Sequence, residues 1–321
     1  MKYEYAMSYE QLLIETALAD ERIVVMTAEN RALVRNIPKA LGKRFIDTGI
    51  TEQTMVGMAA GMALRGRIPI VHALAPFLTM RAFEFIRTDV GIAHLPVKLS
   101  GYIPGFLSDG NGPTHQAIED VAIMRGIPGM EVYGPADEDD LLKMLPSIWS
   151  STSPAYVRVN HNKGSYIHDE YVPGRAEVVA RGGDVTILVY GLLFENAWQA
   201  RLLLEREGMS VGLVNMRSLC PVDEVAIVEA VSGSGLVVTV EDHLSTGGLY
   251  SIVAEVLLRR RLGGADVMSM SLEERWFRPG LLSEVLETEG FTAERIAERI
   301  AERIAEQIVE RIKNSSLRYA K

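Results

Sequence analysis

Short apolar segments alternate with amphipathic segments of helical length, and this alternation constrains the fold more than any other feature of the chain. The first series of apolar segments covers residues 23–26, 68–72, 96–100, 130–133 and 156–159. Segments with helical periodicity separate them, the clearest at 52–64 and 138–148. Strands that alternate with helices of about 10–15 residues form mostly parallel sheets. We therefore expect an α/β fold.

A polar stretch without periodicity interrupts this pattern at residues 161–173 and carries Gly164 and Pro173. Such a stretch is typical of a crossing between domains. A second series of apolar segments follows at 185–190, 211–214 and 236–240. The sequence thus predicts a first domain over residues 1–165, a second over 175–292 and a tail over 293–321. Each domain is expected to be a mostly parallel sheet flanked by helices.

The tail repeats the unit Ala-Glu-Arg-Ile every four residues from Ala293 onward. On a helix of 3.6 residues per turn, a four-residue period drifts by about 40° per repeat. The drift concerns the isoleucines Ile296, Ile300, Ile304, Ile308 and Ile312. We expect a solvated terminal helix with only its first turns docked on the second domain. An oligomerisation helix is the alternative, although the drift argues against a long regular coiled coil.

Composition excludes several classes of protein. The 321 residues carry a formal net charge of -9, which gives a nucleic-acid partner no electrostatic support. Cys220 is the only cysteine, so the chain forms no internal disulfide and no multi-cysteine metal site. No run of about 18 apolar residues predicts a membrane span, and residues 1–7 lack the apolar core of a signal peptide. We therefore expect a cytoplasmic protein.

The most informative motif is Phe-Ile-Asp-Thr-Gly-Ile-Thr-Glu-Gln-Thr-Met at residues 45–55, which places Glu52 before a helical segment of small residues. Taken alone, Glu52 could simply interact with the helix dipole. The motif, however, resembles the pyrimidine-binding domain of transketolases, which use thiamine diphosphate. The resemblance implies that Glu52 hydrogen-bonds N1′ of the cofactor's aminopyrimidine. A carboxyl group there promotes the imino tautomer, so that the cofactor supplies its own base.

A second segment, residues 76–83, is similar to the family segment that encloses the aminopyrimidine. Phe77, Met80 and Phe83 are spaced i, i+3, i+6, which would bring them close to one face of a helix. The resemblance implies that they bind the cofactor ring, although core packing is the default role for such a stripe. Many transketolases have an aromatic residue at the middle position, and a thioether such as that of Met80 also packs well on a ring.

A third segment, Gly-Asn-Gly-Pro-Thr-His-Gln at residues 110–116, closely resembles a transketolase loop. The resemblance implies that His115 reaches the reaction centre, as a catalytic and substrate-binding residue; capping of local backbone is the alternative. Asn111 stands where most of the family has an aspartate, and Ile103 stands in place of a substrate-facing histidine. Arg158 matches an arginine that contacts a substrate phosphate. The two departures predict a substrate whose hydroxyl pattern differs from that of common sugar phosphates.

The second domain also resembles the family, at residues 214–223 and 240–248, where His243 is expected to be structural or inter-subunit. The Gly-Asp-Gly motif that marks the diphosphate-binding domain is absent, and Ser-Asp-Gly at 108–110 is the closest string. We predict no metal ligand in this chain. The resemblance therefore implies an active site shared with a separate subunit that holds the diphosphate and Mg²⁺, in an α2β2 heterotetramer.

The leading functional interpretation is transfer of a two-carbon ketol unit from a ketose to an aldehyde acceptor. The first alternative is a relative that acts on a 2-oxo acid, either a deoxyxylulose-phosphate-type synthase or a dehydrogenase E1 β-subunit. The second is a scaffold or regulatory subunit that binds no cofactor. The retained Glu52 argues against this last interpretation.

Overall fold

The computed structural model describes residues 7–29 and 31–319, with side chains placed up to residue 310. Its strands form two sheets, one of seven strands and one of five. The strands, in chain order, are β1 (Ile23–Thr27), β2 (Phe45–Asp47), β3 (Ile68–Leu74), β4 (Lys98–Tyr102), β5 (Glu131–Tyr133), β6 (Ala155–Val159), β7 (Glu177–Ala180), β8 (Val185–Val189), β9 (Val211–Asn215), β10 (Ser218–Cys220), β11 (Leu236–Leu244) and β12 (Val267–Leu272).

Helices flank both sheets. In chain order they are α1 (Tyr9–Ala19), α2 (Ile37–Leu41), α3 (Glu52–Leu64), α4 (Phe83–Phe85), α5 (Asp120–Arg125), α6 (Glu138–Ser150), α7 (Phe194–Arg206), α8 (Glu224–Gly233), α9 (Leu249–Arg260), α10 (Leu282–Glu289) and α11 (Ala293–Tyr319). No helix in the described ranges is both long and apolar enough to cross a membrane.

The first sheet has the strand order β10-β5-β6-β4-β3-β1-β2, and every pairing except that of β10 is parallel. Strands β1, β4 and β6 are buried along their whole length, as expected when helices cover both faces of a parallel sheet. The second sheet has the order β12-β11-β8-β9-β7, with only β7 antiparallel. The predicted α/β class is confirmed.

Strand β10 follows the second sheet's β9 in the chain, yet it pairs with β5 at the edge of the first sheet. The second domain therefore contributes a strand to the sheet of the first. Residues 161–173, predicted as a crossing, contain no helix or strand. The two halves are consequently joined by backbone hydrogen bonds as well as by the connecting segment.

The helix predicted around residues 78–90 is irregular. Two π-helical turns, Phe77–Arg81 and Ile86–Gly91, flank the short α4. A π-helical turn holds more residues than an α-helical turn, so side chains spaced i, i+3, i+6 do not share one face. The expectation that Phe77, Met80 and Phe83 form one helical wall is therefore wrong.

The tail helix α11 packs on α7 through its first isoleucines. Ile296 and Ile300 are fully buried, Ile304 is half-buried and Ile308 is 53% exposed. Residues at i, i+4 and i+8 form an oblique ridge on a helix, and such a ridge leaves a straight neighbour after a few turns. The drift predicted from the sequence is thus observed, while the side chain of Ile312 lies outside the described residues.

Candidate functional site

The carboxyl ends of β1, β2, β3 and β4 meet at one edge of the first sheet. From β1 the chain continues to β2 on one side and then crosses to β3 on the other, so a crevice opens between β1 and β3. Ligands of open α/β sheets bind at such switch points. A pocket of about 260 Å³ lies here, lined by Ala28, Glu29, Ile50, Glu52, Leu74 and Phe77.

A tight turn after β2 delivers Glu52 to this pocket. Gly49 has φ +69°, a left-handed conformation that glycine adopts readily, and its N–H donates to Oδ1 of Asp47 at 2.9 Å. The hydroxyl of Thr51 donates to the carbonyl of Thr48 at 2.9 Å. Helix α3 then begins at Glu52. The turn therefore fixes this carboxyl group at the mouth of the crevice.

Glu52 is only 3% exposed, so its carboxylate needs a partner within the protein. That partner is Arg81, whose Nη1 donates to both carboxylate oxygens, at 3.1 and 2.9 Å. The Arg81 guanidinium also lies over the ring of Phe77, with Cζ 4.1 Å from the ring centroid. The site therefore combines a buried carboxylate, a flat aromatic face and a flat cation.

The three predicted ring-binding residues occupy different places. Phe77 lines the pocket beside Glu52. Met80 is 37% exposed, and its thioether lies at the protein surface in this chain. Phe83 packs instead against the buried core cluster of the first domain. Of the three, Phe77 is the residue that the structure brings together with Glu52.

His115 ends the 3₁₀ turn Pro113–His115, and its ring meets that of Phe77 edge to face at 5.0 Å between centroids. Its Nδ1 pairs with the hydroxyl of Thr114 at 2.9 Å, whereas its Nε2 has no partner among the described residues. This arrangement leaves Nε2 available to a ligand. His115 therefore joins the group formed by Glu52, Arg81 and Phe77.

The two predicted specificity positions lie on the loop that precedes His115. Asn111 is exposed, and its side-chain amide donates to the carbonyl of Ser108 at 2.8 Å. Ile103 is half-buried at the carboxyl end of β4 and has φ +47°, which is rare for a β-branched side chain. The backbone conformation at Ile103 therefore costs free energy, which the rest of the loop must offset.

Arg158 does not lie where a substrate phosphate could reach it. The side chain is 2% exposed and donates to Asp120 from Nε at 2.9 Å and to Asp242 from Nη1 at 2.6 Å. Both carboxylates are themselves buried, and Asp242 belongs to the second domain. The role predicted for Arg158 is therefore corrected, because its charge is already paired inside the protein and joins the two domains.

His243 occupies the same boundary and matches the structural role expected for it. Its Nε2 accepts a hydrogen bond from the backbone N–H of Ala122 at 3.3 Å, and Nδ1 pairs with the carbonyl of Leu244 at 2.6 Å. Burial lowers the pKa of His243 to about 4. The neutral imidazole hydrogen-bonds to the backbone of Ala122 in the first domain and of Leu244 in the second, and so stabilises the domain boundary.

Within the described residues, one group has ligand atoms close enough for a metal ion: Asp140, His168 and Glu177. Arg217 forms ion pairs with Asp140 at 3.1 Å and with Glu177 at 2.6 Å. A guanidinium with two of the three candidate ligands leaves no place for a second cation. The group is therefore an ion-pair cluster that joins the domains, in which His168 bridges Glu177 and Asp137.

Sequence reasoning did not identify Arg81 or Glu29 as site residues. Arg81 stands in the quoted segment 76–83, but nothing in the sequence links it to a carboxylate 29 positions away. Glu29 directly follows the buried β1, and a polar residue at the carboxyl end of a buried strand is a usable signal. Its φ of +70° and its N–H bond to Asp47 at 3.1 Å hold it at the pocket.

Comparison with known proteins agrees with this geometry. Residues 1–165 match the transketolase pyrimidine-binding domain, and residues 174–296 match the transketolase C-terminal domain. A 6-deoxy-6-sulfo-D-fructose transketolase subunit from a Clostridium species is 35% identical over 300 residues, which cover 90% of this chain and 91% of the relative. A 1-deoxy-D-xylulose-5-phosphate synthase from Heliobacterium modesticaldum is 34% identical but is covered over only 46% of its length, against 91% of this chain.

Among solved structures, one described as a split-gene transketolase in an inactive β4 tetramer superposes with a TM-score of 0.82. It is 32% identical, and the match covers 92% of this chain and 96% of that one. The fold and the pocket therefore define an α/β protein that combines a pyrimidine-binding domain with a C-terminal domain. The chain belongs to the transketolase family, as the C-terminal subunit of a split enzyme of the transferase type.

Proposed function

We propose that this chain and a separate diphosphate-binding subunit together transfer a two-carbon ketol unit from a ketose to an aldehyde acceptor. The observation that carries the proposal is the pairing of a buried carboxylate, Glu52, with the aromatic face of Phe77 in the pocket at the carboxyl edge of the first sheet. A flat, nitrogen-containing ring needs these two features, one for its edge and one for its face.

The described residues fit one half of thiamine diphosphate. Glu52 and Phe77 suit the aminopyrimidine, whereas the one group with metal-ligand spacing among the described residues, Asp140, His168 and Glu177, is already paired with Arg217. Mg²⁺ and a diphosphate require oxygen ligands and backbone donors. We therefore assign both to the partner subunit, in an α2β2 heterotetramer.

When bound, thiamine diphosphate supplies the carbon nucleophile that breaks and remakes the carbon–carbon bond. In this chain, Glu52 would hold a proton against a ring nitrogen of the bound cofactor, and Phe77 would support the face of the ring. Met80, exposed at the subunit surface, completes the enclosure when the partner covers it. His115 exchanges hydrogen bonds and protons with substrate hydroxyls through Nε2.

Asn111 and Ile103 set the substrate preference from the loop beside His115. Neither is charged, so they suit a hydroxyl pattern different from that of common sugar phosphates. The proposal places the reaction in carbohydrate metabolism. It includes a cytoplasmic location, because a single cysteine requires no oxidising compartment.

Calorimetry with thiamine diphosphate and Mg²⁺ tests the shared site. We expect weak or no binding to this chain alone and tight binding to its mixture with the diphosphate-binding subunit. Tight binding by the chain alone would refute the shared site. Sedimentation of the mixture measures the stoichiometry, and any ratio other than one to one refutes the heterotetramer.

The similarity to a deoxyxylulose-phosphate synthase keeps the 2-oxo-acid alternative open. The reconstituted complex distinguishes the two reactions when it is offered a ketose donor and, separately, pyruvate with the same aldehyde. Turnover of the ketose alone supports ketol transfer, whereas release of carbon dioxide from pyruvate supports the alternative. A scaffold subunit would bind no cofactor in either mixture, and Glu52→Ala would leave the complex unchanged.

A further inference from the structure

Arg81 stands between the two groups that a cofactor ring would need. Its Nη1 donates to both oxygens of Glu52, at 3.1 and 2.9 Å, and its Cζ lies 4.1 Å from the centroid of Phe77. The side chain is 42% exposed, whereas that of Glu52 is 3% exposed. The guanidinium therefore covers the carboxylate from the solvent side while it stacks on the aromatic ring.

A guanidinium and an aminopyrimidine share the features that matter here. Both are flat, both present nitrogen atoms at their edge to a carboxylate, and both stack on an aromatic face. Two flat groups cannot occupy the same face of Phe77 and the same oxygens of Glu52. A ring that uses both partners must therefore displace Arg81.

We propose that Arg81 is a further residue of the cofactor site, which occupies the place of the aminopyrimidine in the free subunit and leaves when the cofactor binds. The inference rests on the proposed function. In the free subunit, Arg81 satisfies a carboxylate that would otherwise be buried without a partner, which is costly.

The exposure of Arg81 makes the exchange feasible. A long, flexible side chain at the surface can swing into solvent without disturbing the backbone, whereas Glu52 is fixed at the start of α3. The apparent affinity for a ligand falls by the fraction of molecules that are open to it. Arg81 therefore weakens cofactor binding and limits uptake to conditions in which the partner subunit supplies the remaining contacts.

The test is a titration of thiamine diphosphate, with Mg²⁺, into the reconstituted complex carrying Arg81→Ala. We expect the Kd to fall about tenfold, equivalent to about 1.4 kcal/mol. Arg87→Ala is the matched control, because Arg87 is an exposed arginine of the same helical segment and contacts no described residue of the site. Its Kd should equal that of the wild type. A Kd for Arg81→Ala that is unchanged or higher, in a folded complex, overturns the inference.

A double-mutant cycle separates competition from a general effect of charge. In a Glu52→Gln background, the neutral amide no longer holds the guanidinium as an ion pair, so Arg81→Ala should change the Kd by less than twofold. A tenfold effect that persists in this background contradicts the proposed competition. A crystal structure of the loaded complex provides a direct readout, because Arg81 stacked on Phe77 beside a bound cofactor refutes the exchange.

Failure of the inference is distinguishable from failure of the proposed function. A wild-type complex that takes up no thiamine diphosphate refutes both. A wild-type complex that binds the cofactor, together with an Arg81→Ala complex that binds it no more tightly, refutes the role of Arg81 alone.

Discussion

Two buried charged residues of the first domain illustrate how a side chain's surroundings determine its role. Glu52 and Arg158 are both almost completely enclosed. Glu52 borders a pocket, and its ion-pair partner among the described residues is Arg81, a half-exposed arginine that can swing away. Arg158 is held by two buried carboxylates, Asp120 and Asp242. Glu52 can therefore exchange its partner for a ligand, while Arg158 has a structural role.

Replacing Glu52 with glutamine should strongly reduce turnover by the reconstituted complex. Proton transfer by a positioned side chain contributes a factor of about 10² to 10⁴, and the amide removes it at nearly constant volume. Steady-state kinetics with saturating cofactor measures kcat. Glu84→Gln, the same change at an exposed glutamate of α4, serves as the control and should retain wild-type kcat. A Glu52→Gln enzyme with full kcat would remove this residue from the mechanism.

Replacing Arg158 with alanine should destabilise the subunit by about 3–5 kcal/mol, because it leaves Asp120 and Asp242 buried without their cation. The free energy of unfolding from urea titration measures this loss. Arg181→Ala, at an exposed ion pair with Glu229, should cost at most about 1 kcal/mol. If Arg158→Ala instead raised KM and left stability unchanged, Arg158 would belong to the substrate site after all.

The site could be predicted from the sequence only where a short motif carries it. Glu52 and His115 each stand in a contiguous motif, and both lie near Phe77, which lines the pocket with Glu52 and contacts the ring of His115. The partners of Arg158 and Arg81 could not be predicted, since each contact joins segments far apart in the chain. Long-range ion pairs depend on how the sheet folds, and local residue patterns do not record that.

Among the elements, α11 shows how a repeat in sequence becomes a gradient of burial. Its isoleucine ridge enters the core of the second domain at Ile296 and leaves it at Ile308. Asp266, before β12, accepts hydrogen bonds from Arg303 and Gln307 at the point where the ridge begins to leave. Apolar contacts therefore hold the N-terminal turns of α11 on the domain, and polar contacts hold the turns that follow.

Replacing Ile300 with alanine should cost about 2–5 kcal/mol of unfolding free energy, because it opens a cavity between α11 and α7. The same change at Ile308, three repeats along the helix from Ile296, should remain within about 0.5 kcal/mol. Urea titration of both variants measures the difference. Equal costs would show that α11 packs against something beyond α7 at its exposed end.

The elements that the sequence predicted well are long and locally complete. Helix α3 occupies residues 52–64, the segment its pattern predicts. The strands that were not predicted, β2, β7, β10 and β12, are three to six residues long, and all four lie at the edge of a sheet. Such strands owe their conformation to a neighbour rather than to their own residues. Helices α2 and α10 were not predicted either, because they are only one to two turns long.

At the scale of the whole molecule, two buried ion clusters join the domains. Arg158 pairs with Asp120 of the first domain and Asp242 of the second, and a second cluster links Asp137 and Asp140 to Glu177 through His168 and Arg217. Charged residues in such positions require mutual compensation, so each cluster favours one relative placement of the two sheets. The crevice that holds Glu52 thereby keeps a constant geometry relative to the second domain.

His168 should make stability depend on pH. Burial alone would lower its pKa, but hydrogen bonds to Asp137 and Glu177 outweigh burial and raise the pKa of His168 to about 10. A pKa raised by folding contributes stability that is fully present below about pH 6.5 and lost as the pH rises to about 10. The unfolding free energy should therefore decline over this range, and less steeply in His168→Gln.

Urea titrations at several pH values from 6 to about 10 measure this dependence. His161→Gln is the matched control, because His161 is an exposed histidine of the same connecting segment, and its curve should coincide with that of the wild type. Parallel curves for His168→Gln and the wild type would show that His168 carries no proton in the folded protein at neutral pH.

Strand β10 has a consequence for the way such genes divide. It completes the first sheet with residues encoded after the second sheet has begun, and without it β5 would present an open strand edge prone to association with other chains. A break in the coding sequence within residues 161–173 would separate β10 from its partner, even though that segment contains no helix or strand. Selection should therefore act against fission there, so that these two domains are inherited, exchanged and duplicated as one module.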